Sequence, residues 1–417
     1  MIIHTVASGD TIFSISKQYS VPESRIITDN YLNPTKKLFV GQSLVISKPS
    51  KTCVVRGGDT LSSIAERNGI SVMTLMQNNP TTVTKKLMPS QPLSVEYDKN
   101  ELKSIIVSAY SGNAAENEIE KWMPYISILN IQNASVLENG EMVILKSAEP
   151  LITLSKRYNA LPVLTFDWTD ERGVWRCDYL NSILESPIST EKFIQSALKA
   201  VKGNGLAGLE MQICCEDDPY KYRLWDMLLA LGGLLKENGY SLLIPFLPGI
   251  TSDDSAAELN DIADLIPIKN YIWDDDNTAS PAAPADKIAE SLSSNALSPS
   301  FDKSLLGIPT FGVMYSPAAK GYRKMIVDAS FCQNAESPYP ISAKFNEATG
   351  TPFIVYDERI YESEPRKMLH YEDANSYDKK LDLISKFGLA GVNVMSLEFS
   401  SPVLWQVLNQ KFNIIKY

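Results

Sequence analysis

The sequence predicts an α/β protein: a (β/α)8 TIM barrel with a small inserted β-rich lobe, preceded by two small βααβ domains. Three observations predict it. The first quarter repeats itself, with matching Gly-Asp-Thr triplets at Gly9 and Gly58. Eight apolar, strand-like runs then alternate with helical stretches, the rhythm of a parallel sheet with helical crossovers. Late in that rhythm, extra strand-like runs (Pro352–Asp357 and Arg366–Tyr371) appear with no helix between them.

Composition sets the outer limits. At 417 residues the chain is long enough for more than one domain, one of them a large barrel. A net charge of -10 argues against nucleic acid as a partner. No apolar run reaches transmembrane length. The N-terminus, Met1 to Val6, has neither a basic region nor a cleavable apolar core, so no standard signal peptide is expected. Five scattered cysteines point to reduced thiols. Only two histidines, His4 and His370, are present, which excludes a His-rich metal centre or a His-based triad. No metal or cofactor is expected.

The repeat occupies 4–46 and 53–95. Each copy starts with a short strand. Each then has Gly-Asp-Thr and a helical start with apolar residues three apart, Ile12 with Ile15 and Leu61 with Ile64. Asp10 and Asp59 are read as the N-caps. Asn33-Pro34 and Asn79-Pro80 are read as the ends of the second helices. Runs beginning at Leu38 and Leu87 alternate with period two and return as strands. The expected domains are 1–48, 51–97 and 104–417, the last with an insertion at about 320–374.

These two repeats resemble a tandem pair of LysM modules. The resemblance implies binding to N-acetylglucosamine-containing glycans, peptidoglycan and chitin oligomers among them. It carries glycan contacts onto Gly9, Asp10, Thr11, Ile12 and Pro34 in the first module. In the second it carries them onto Gly58, Asp59, Thr60, Leu61 and Pro80. Ser90 and Pro92 depart from the pattern there.

Beyond the polar stretch 96–103, the expected barrel strands are Ser104–Tyr110, Tyr125–Ile131, Leu161–Phe166, Gly205–Ile213, Tyr240–Phe246, Lys269–Trp273, Leu305–Phe311 and Gly391–Leu397. Expected helices between them include Ala148–Tyr158, Thr190–Val201, Arg223–Asn238, Ala256–Ile266 and Asn375–Phe387. Active-site groups of such a barrel sit at the C-terminal ends of its strands. The fourth strand, which runs into Glu216-Asp217-Asp218, therefore decides the chemistry.

With LysM modules in front, this barrel resembles glycoside hydrolase family 18, nearest to spore germination and cortex-fragment-lytic N-acetylglucosaminidases. The segments that carry the resemblance are Ala160 to Thr165, Glu216 to Leu242, and His370-Tyr371-Glu372-Asp373-Ala374. It implies a substrate-assisted reaction. One carboxylic acid protonates the glycosidic oxygen, the substrate's acetamido oxygen attacks the anomeric carbon, and no protein nucleophile is needed. The family motif on the fourth strand is DGxDxDxE. Gly208 keeps the glycine. Ala207, Glu210 and Gln212 replace the three aspartates, and Cys214 stands in place of the acid. A neutral thiol is a poor donor. Glu216 would lie roughly 7 Å further along an extended strand, outside the ~3 Å reach of proton transfer.

Tyr110, Asp167, Trp168, Trp273, Asp274, Tyr315, Glu372 and Met395 are the candidate cleft residues. Asp274 retains a carboxylate that the family has, Trp273 replaces its Tyr, and Met395 or Ser396 replaces its sugar-stacking Trp. The expectation is a glycan-binding protein whose glycosidase chemistry has been lost. It would sit in the bacterial spore coat or cortex, made in the mother cell, with spore-coat proteins as possible partners. Two alternatives stay open: an active N-acetylglucosaminidase acting on cortex peptidoglycan, with Glu216 or a lobe residue as acid, and a structural protein of spore-layer assembly.

Overall fold

Short apolar strands with polar mouths build the large domain, seen here in a computed structural model. It describes residues 1–98, 102–132, 134–137, 140–166, 168, 177–212, 220–247, 253–270, 279–293, 300–318, 321–335, 341–356 and 366–417. The barrel strands among them are, in order, Ser104–Tyr110, Ile128–Ile131, Leu161–Phe166, Gly208–Met211, Ser241–Leu243, Ile266–Ile268, Ser304–Ile308 and Gly391–Val394. Each pairs in parallel with its neighbour, and the first pairs with the eighth. Single bridges, Leu243 to Leu265 and Phe246 to Ile268, bring the fifth strand against the sixth and nearly close the ring.

Parallel strands covered on their outer face by helices must be apolar on both sides. The fourth strand, Gly208–Met211, is buried at every position. Its glycine has a steric cause: a Cβ on Gly208 would lie 2.2 Å from the Ser241 carbonyl oxygen of the fifth strand. The C-terminal helix Pro402–Lys411 closes one side. Its Trp405 stacks against Trp122 and Tyr125 at ring-centroid distances of 5.7 and 5.4 Å.

The first and third strands coincide with the sequence expectation. The sixth does not. It is Ile266–Ile268 rather than Lys269–Trp273, and the helix before it ends at Ile262 rather than Ile266. A short apolar run reads equally well as helix or strand, and Pro267 cannot continue a helix. The shift matters for function, because it moves Lys269 from the closed bottom of a strand to the open mouth.

Between the seventh and eighth strands an antiparallel sheet of five strands forms the lobe: Gly312–Pro317, Tyr322–Val327, Ala343–Asn346, Thr351–Tyr356 and Lys367–His370. One face (Phe311, Val313, Tyr315) packs toward the mouth with Met395 and Phe399. Met314, Ile354 and Leu369 belong to a separate cluster that also holds Phe39 of the N-terminal repeat.

Both repeats are βααβ units. Ile2–Thr5 pairs antiparallel with Ser43–Ile46, and Lys51–Val54 with Pro92–Glu96. The helix caps differ from expectation. Thr11 and Thr60, not Asp10 and Asp59, are the N-caps, each with a capping box completed by Ser14 or Ser63. The aspartates instead accept backbone N–H groups of the turn, from Ala7 and Arg56. In the first repeat the second helix ends at Asp29, ahead of Asn33-Pro34. The matched asparagines are Asn30 and Asn79. Both are buried, and each ties the end of its helix to the returning strand through Val45 or Ser94.

Polar contacts tie the repeats to each other and to the barrel. Arg25 donates to Asp29 (2.7 Å), the Ser94 hydroxyl (2.9 Å), the Asn78 carbonyl (3.1 Å) and the Tyr97 hydroxyl. Burial works against the Arg25 charge, yet Asp29 beside it holds its pKa above the ordinary arginine value. Gln77 and Tyr125 exchange hydrogen bonds with each other's segments, from Gln77 to the Pro124 carbonyl and from the Tyr125 hydroxyl to the Gln77 carbonyl.

The first repeat also meets the lobe. Ala343 N–H donates to the Val40 carbonyl at 2.8 Å. Asn334 accepts from Asn33 N–H at 3.0 Å. Gly41 sits at φ +84, and a Cβ there would lie 2.0 Å from the Ala343 carbonyl oxygen. In the second repeat the matching Ser90 holds φ +68, and neighbouring Met88 is exposed.

Gly41→Ala is expected to destabilise the protein by more than the ~1–2 kcal/mol that a left-handed backbone costs an L-residue, because the lobe contact opens as well. Ser90→Gly should shift stability by no more than about 1 kcal/mol. Urea denaturation midpoints compare the two.

Candidate active site

A chain of hydrogen bonds crosses the barrel mouth. Tyr110, at the end of the first strand, donates its hydroxyl to Glu210 Oε1 at 2.7 Å. Gln212, one residue past the fourth strand, donates Nε2 to the same oxygen at 2.6 Å. Lys269, one residue past the sixth strand, donates Nζ to Gln212 Oε1 at 2.5 Å. Its ammonium also lies 5.1 Å from the Tyr110 ring centroid. Strand alternation explains the set: Glu210 and Gln212 are two residues apart and share the inner face.

Glu210 is fully buried, and its second oxygen, Oε2, has no hydrogen-bond partner. Burial pushes its pKa up to about 7, while the nearby Lys269 charge and the Tyr110 and Gln212 hydrogen bonds pull the other way. The carboxyl therefore keeps its proton to a higher pH than an exposed glutamate does. Around it the barrel interior is polar, with Ser108, Asn130, Thr165 and Asn393 all buried. Above this layer is an axial cavity of about 100 Å³ lined by Tyr110, Gln132, Ile268, Lys269, Gly307, Asn393 and Met395.

The cleft candidates separate accordingly. Tyr110 and Met395 line the cavity. Tyr315 is buried where the lobe meets the mouth, its hydroxyl donating to the Ser280 carbonyl at 2.6 Å. Trp168 is wholly buried. It stacks on Phe193, and its Nε1 donates to the Gln212 carbonyl at 3.0 Å, so it braces the site from behind and does not line it. Glu372 is a structural group as well, in a buried ion pair with Lys380. Cys214, Glu216, Asp167, Trp273 and Asp274 lie outside the described residues.

Sequence reasoning missed Lys269, Gln132 and Asn393. For Lys269 the signal was present: Pro267 two residues earlier ends the helix pattern and begins a strand there. Among the described residues no group of His, Cys, Asp or Glu is arranged to hold a metal ion.

In the repeats, Gly9 and Gly58 take φ +92 and +83. Asp10 accepts from His4 Nε2 at 3.0 Å. Its Ala7 N–H bond, then His4, lowers its pKa. Asp59 holds both Arg67 nitrogens at 2.9 Å, and that contact with the Arg56 N–H bond brings its pKa to about 2. Thr11 and Thr60 are exposed, Ile12 and Leu61 half-buried at their helix starts. Pro34 is exposed on the first repeat, and Pro80 opens a 3-10 turn on the second.

The LysM domain family matches residues 4–47 and 53–96. The chain carries two tandem LysM domains. Its whole length is similar to the cortical fragment-lytic enzyme of Bacillus anthracis, at 28% identity over 99% of both chains. The crystal structure of the Bacillus cereus spore cortex-lytic enzyme SleL superposes with a TM-score of 0.80 at 20% identity, covering 100% of this chain and 99% of that one. A chitinase from Chromobacterium violaceum matches 74% of this chain and 98% of its own at 16% identity, with a TM-score of 0.63. The LysM pair is thus followed by a chitinase-like barrel.

These findings correct the expectation of a binding protein that has lost its glycosidase chemistry. The relatives matching the chain from end to end are named as lytic enzymes. The expectation rested on Cys214 in place of the acid, on Ala207, Glu210, Gln212, Trp273 and Met395 in place of family residues, and on the distance to Glu216; it took no account of the Lys269 cation beside Glu210.

Glu210 also sets a pH dependence of stability. Its folded pKa lies above the ordinary glutamate value, so the folded state binds more protons than the unfolded one. The cost is absent below about pH 4.5 and grows as pH rises to about 7. Glu210→Gln should therefore gain stability relative to wild type across that window, by up to about 3 kcal/mol, and hold the gain above it. Denaturation midpoints at pH 4, 6 and 8 check this.

Proposed function

We propose that this protein is a spore-associated glycoside hydrolase that cuts N-acetylglucosamine-containing glycans of the cortex peptidoglycan type, with its LysM domains holding the glycan. The observation that carries the reading is the end-to-end match, two LysM domains and a barrel in the same order, to enzymes named for lysis of cortical fragments. Gly9, Asp10, Thr11, Ile12 and Pro34, with Gly58, Asp59, Thr60, Leu61 and Pro80, are the proposed glycan contacts of the two domains.

The mouth geometry supports the reaction class. A cavity of about 100 Å³ has the volume of about three waters. That admits a substituent such as an acetamido group and leaves the sugar ring above it. Tyr110 and Lys269 wall this space, and Gln212 adjoins it through its bond to Lys269. Held there, the acetamido oxygen attacks the anomeric carbon while an acid protonates the glycosidic oxygen. The bond to the leaving sugar breaks, and water then opens the oxazolinium with retention of configuration.

Glu210 lies too deep to reach the glycosidic oxygen. Its part is to hold Gln212, and through it Lys269, in place. The fourth strand ends at Met211, so the spacing of an extended strand does not fix the distance to Glu216, and we assign the proton donor to it as the first carboxyl group after Gln212 in the chain.

Wild type is expected to release reducing ends from cortex fragments and from N-acetylglucosamine oligomers. Glu216→Gln should lower kcat by about 10²–10⁴-fold, the range for a general acid. No turnover by wild type on either substrate would sink the reading. Undiminished turnover in Glu216→Gln would sink the assignment of the acid alone.

A further inference from the structure

A cleft of about 390 Å³ opens between the two LysM domains. That is within the ~300–1,000 Å³ of small-molecule sites. It is separate from the Gly-Asp-Thr loops, and the reaction at the barrel mouth makes no use of it. We propose that the cleft is a saccharide-binding site that continues the glycan groove of the second LysM domain and takes one further N-acetylated pyranose unit. The proposal rests on the reading of the chain as glycan-directed.

Four observations point to a sugar. Pro80, assigned to the groove of the second domain, also lines this cleft, so the two are continuous. Pro22, Pro49 and Pro92 give the walls flat apolar C–H surface of the kind that packs on a pyranose face. On the floor Arg25 and Asp29 form an ion pair at 2.7 Å, which leaves Lys48 as the remaining charged side chain of the lining. Three further hydrogen bonds engage the guanidinium, which leaves it poorly placed to recruit a phosphate or a carboxylate.

The fourth observation is an open acceptor. Asp29 is 1% exposed and lines the cleft, and its Oδ1 has no donor within hydrogen-bonding geometry. The Ser47 hydroxyl beside Asp29 lowers its pKa by hydrogen bonding but does so outside good geometry, so neither atom has a well-formed partner. Buried polar atoms are nearly always paired. A sugar offers neighbouring hydroxyl groups that both donate and accept, which matches a carboxylate oxygen beside a hydroxyl.

The test uses the full chain and N-acetylglucosamine oligomers of two to five units, titrated by calorimetry. Ser24→Trp and Thr52→Trp each place a large ring in the cleft from an exposed rim position. Wild-type affinity should rise with oligomer length. Both variants should lose about tenfold for the pentamer and bind the dimer as wild type does. Pentamer binding that equals wild type in both variants would overturn the cleft site and leave the glycan-directed reading standing. So would an equal loss at every length, which reports damage to the fold. If wild type binds no oligomer of any length, both readings fall together.

Discussion

The barrel mouth depends on one buried carboxyl group. Glu210 lies fully buried where eight strand ends converge. Burying a polar group without partners costs several kcal/mol. Two answers are built in. Its pKa rises toward 7, which lowers the cost of keeping it unsolvated. Tyr110 and Gln212 also donate to it, and Lys269 bonds Gln212 in turn. The first, fourth and sixth strands are thereby locked to each other at the end where substrate arrives. A mouth built this way holds a cation next to an amide.

The two LysM domains descend from one pattern and are put to different structural use. The first has become part of the barrel's framework. Phe39 is buried in the lobe's cluster, Gly41 allows the Ala343 carbonyl to come close, and Asn334 secures the loop around Asn33. The second exposes Met88 at the position of Phe39 and tolerates Ser90 at positive φ. Arg25 ties them together. Its partners span both domains, and losing any one of them would leave a part-buried charged group under-satisfied. The pair is therefore held at a defined angle, and the cleft between them has a fixed shape.

Much of the fold was legible from residue pattern. Runs such as Leu161–Phe166, short, apolar on both faces and set between helical stretches, read as strands buried between helices and a barrel interior. The Gly-Asp-Thr repeat marked the LysM domains, although the caps turned out to be the threonines: Asp10 and Asp59 bond back to the turn instead of forward to the helix. The site was less legible. Motif spacing located Gly208, Glu210 and Gln212 on the right strand, yet it judged them by identity against a pattern. A glutamate in place of an aspartate read as decay. Only its burial and partners reveal a protonatable acid.

The sequence by itself determined the order of domains, the eight-strand rhythm and the strand that carries Glu210, because those follow from local periodicity and turn residues. Tertiary structure alone decided which side chains meet. Lys269 reaches Gln212 across 57 positions of sequence, and Tyr110 reaches Glu210 across 100. Trp168 and Glu372 turn away from the cleft into packing and an ion pair. Such contacts depend on barrel closure and on the exact residue at which a strand ends. A shift of a few residues, as at Ile266–Ile268, carries a lysine from one end of the barrel to the other, and Pro267 is the one local signal that separates the two.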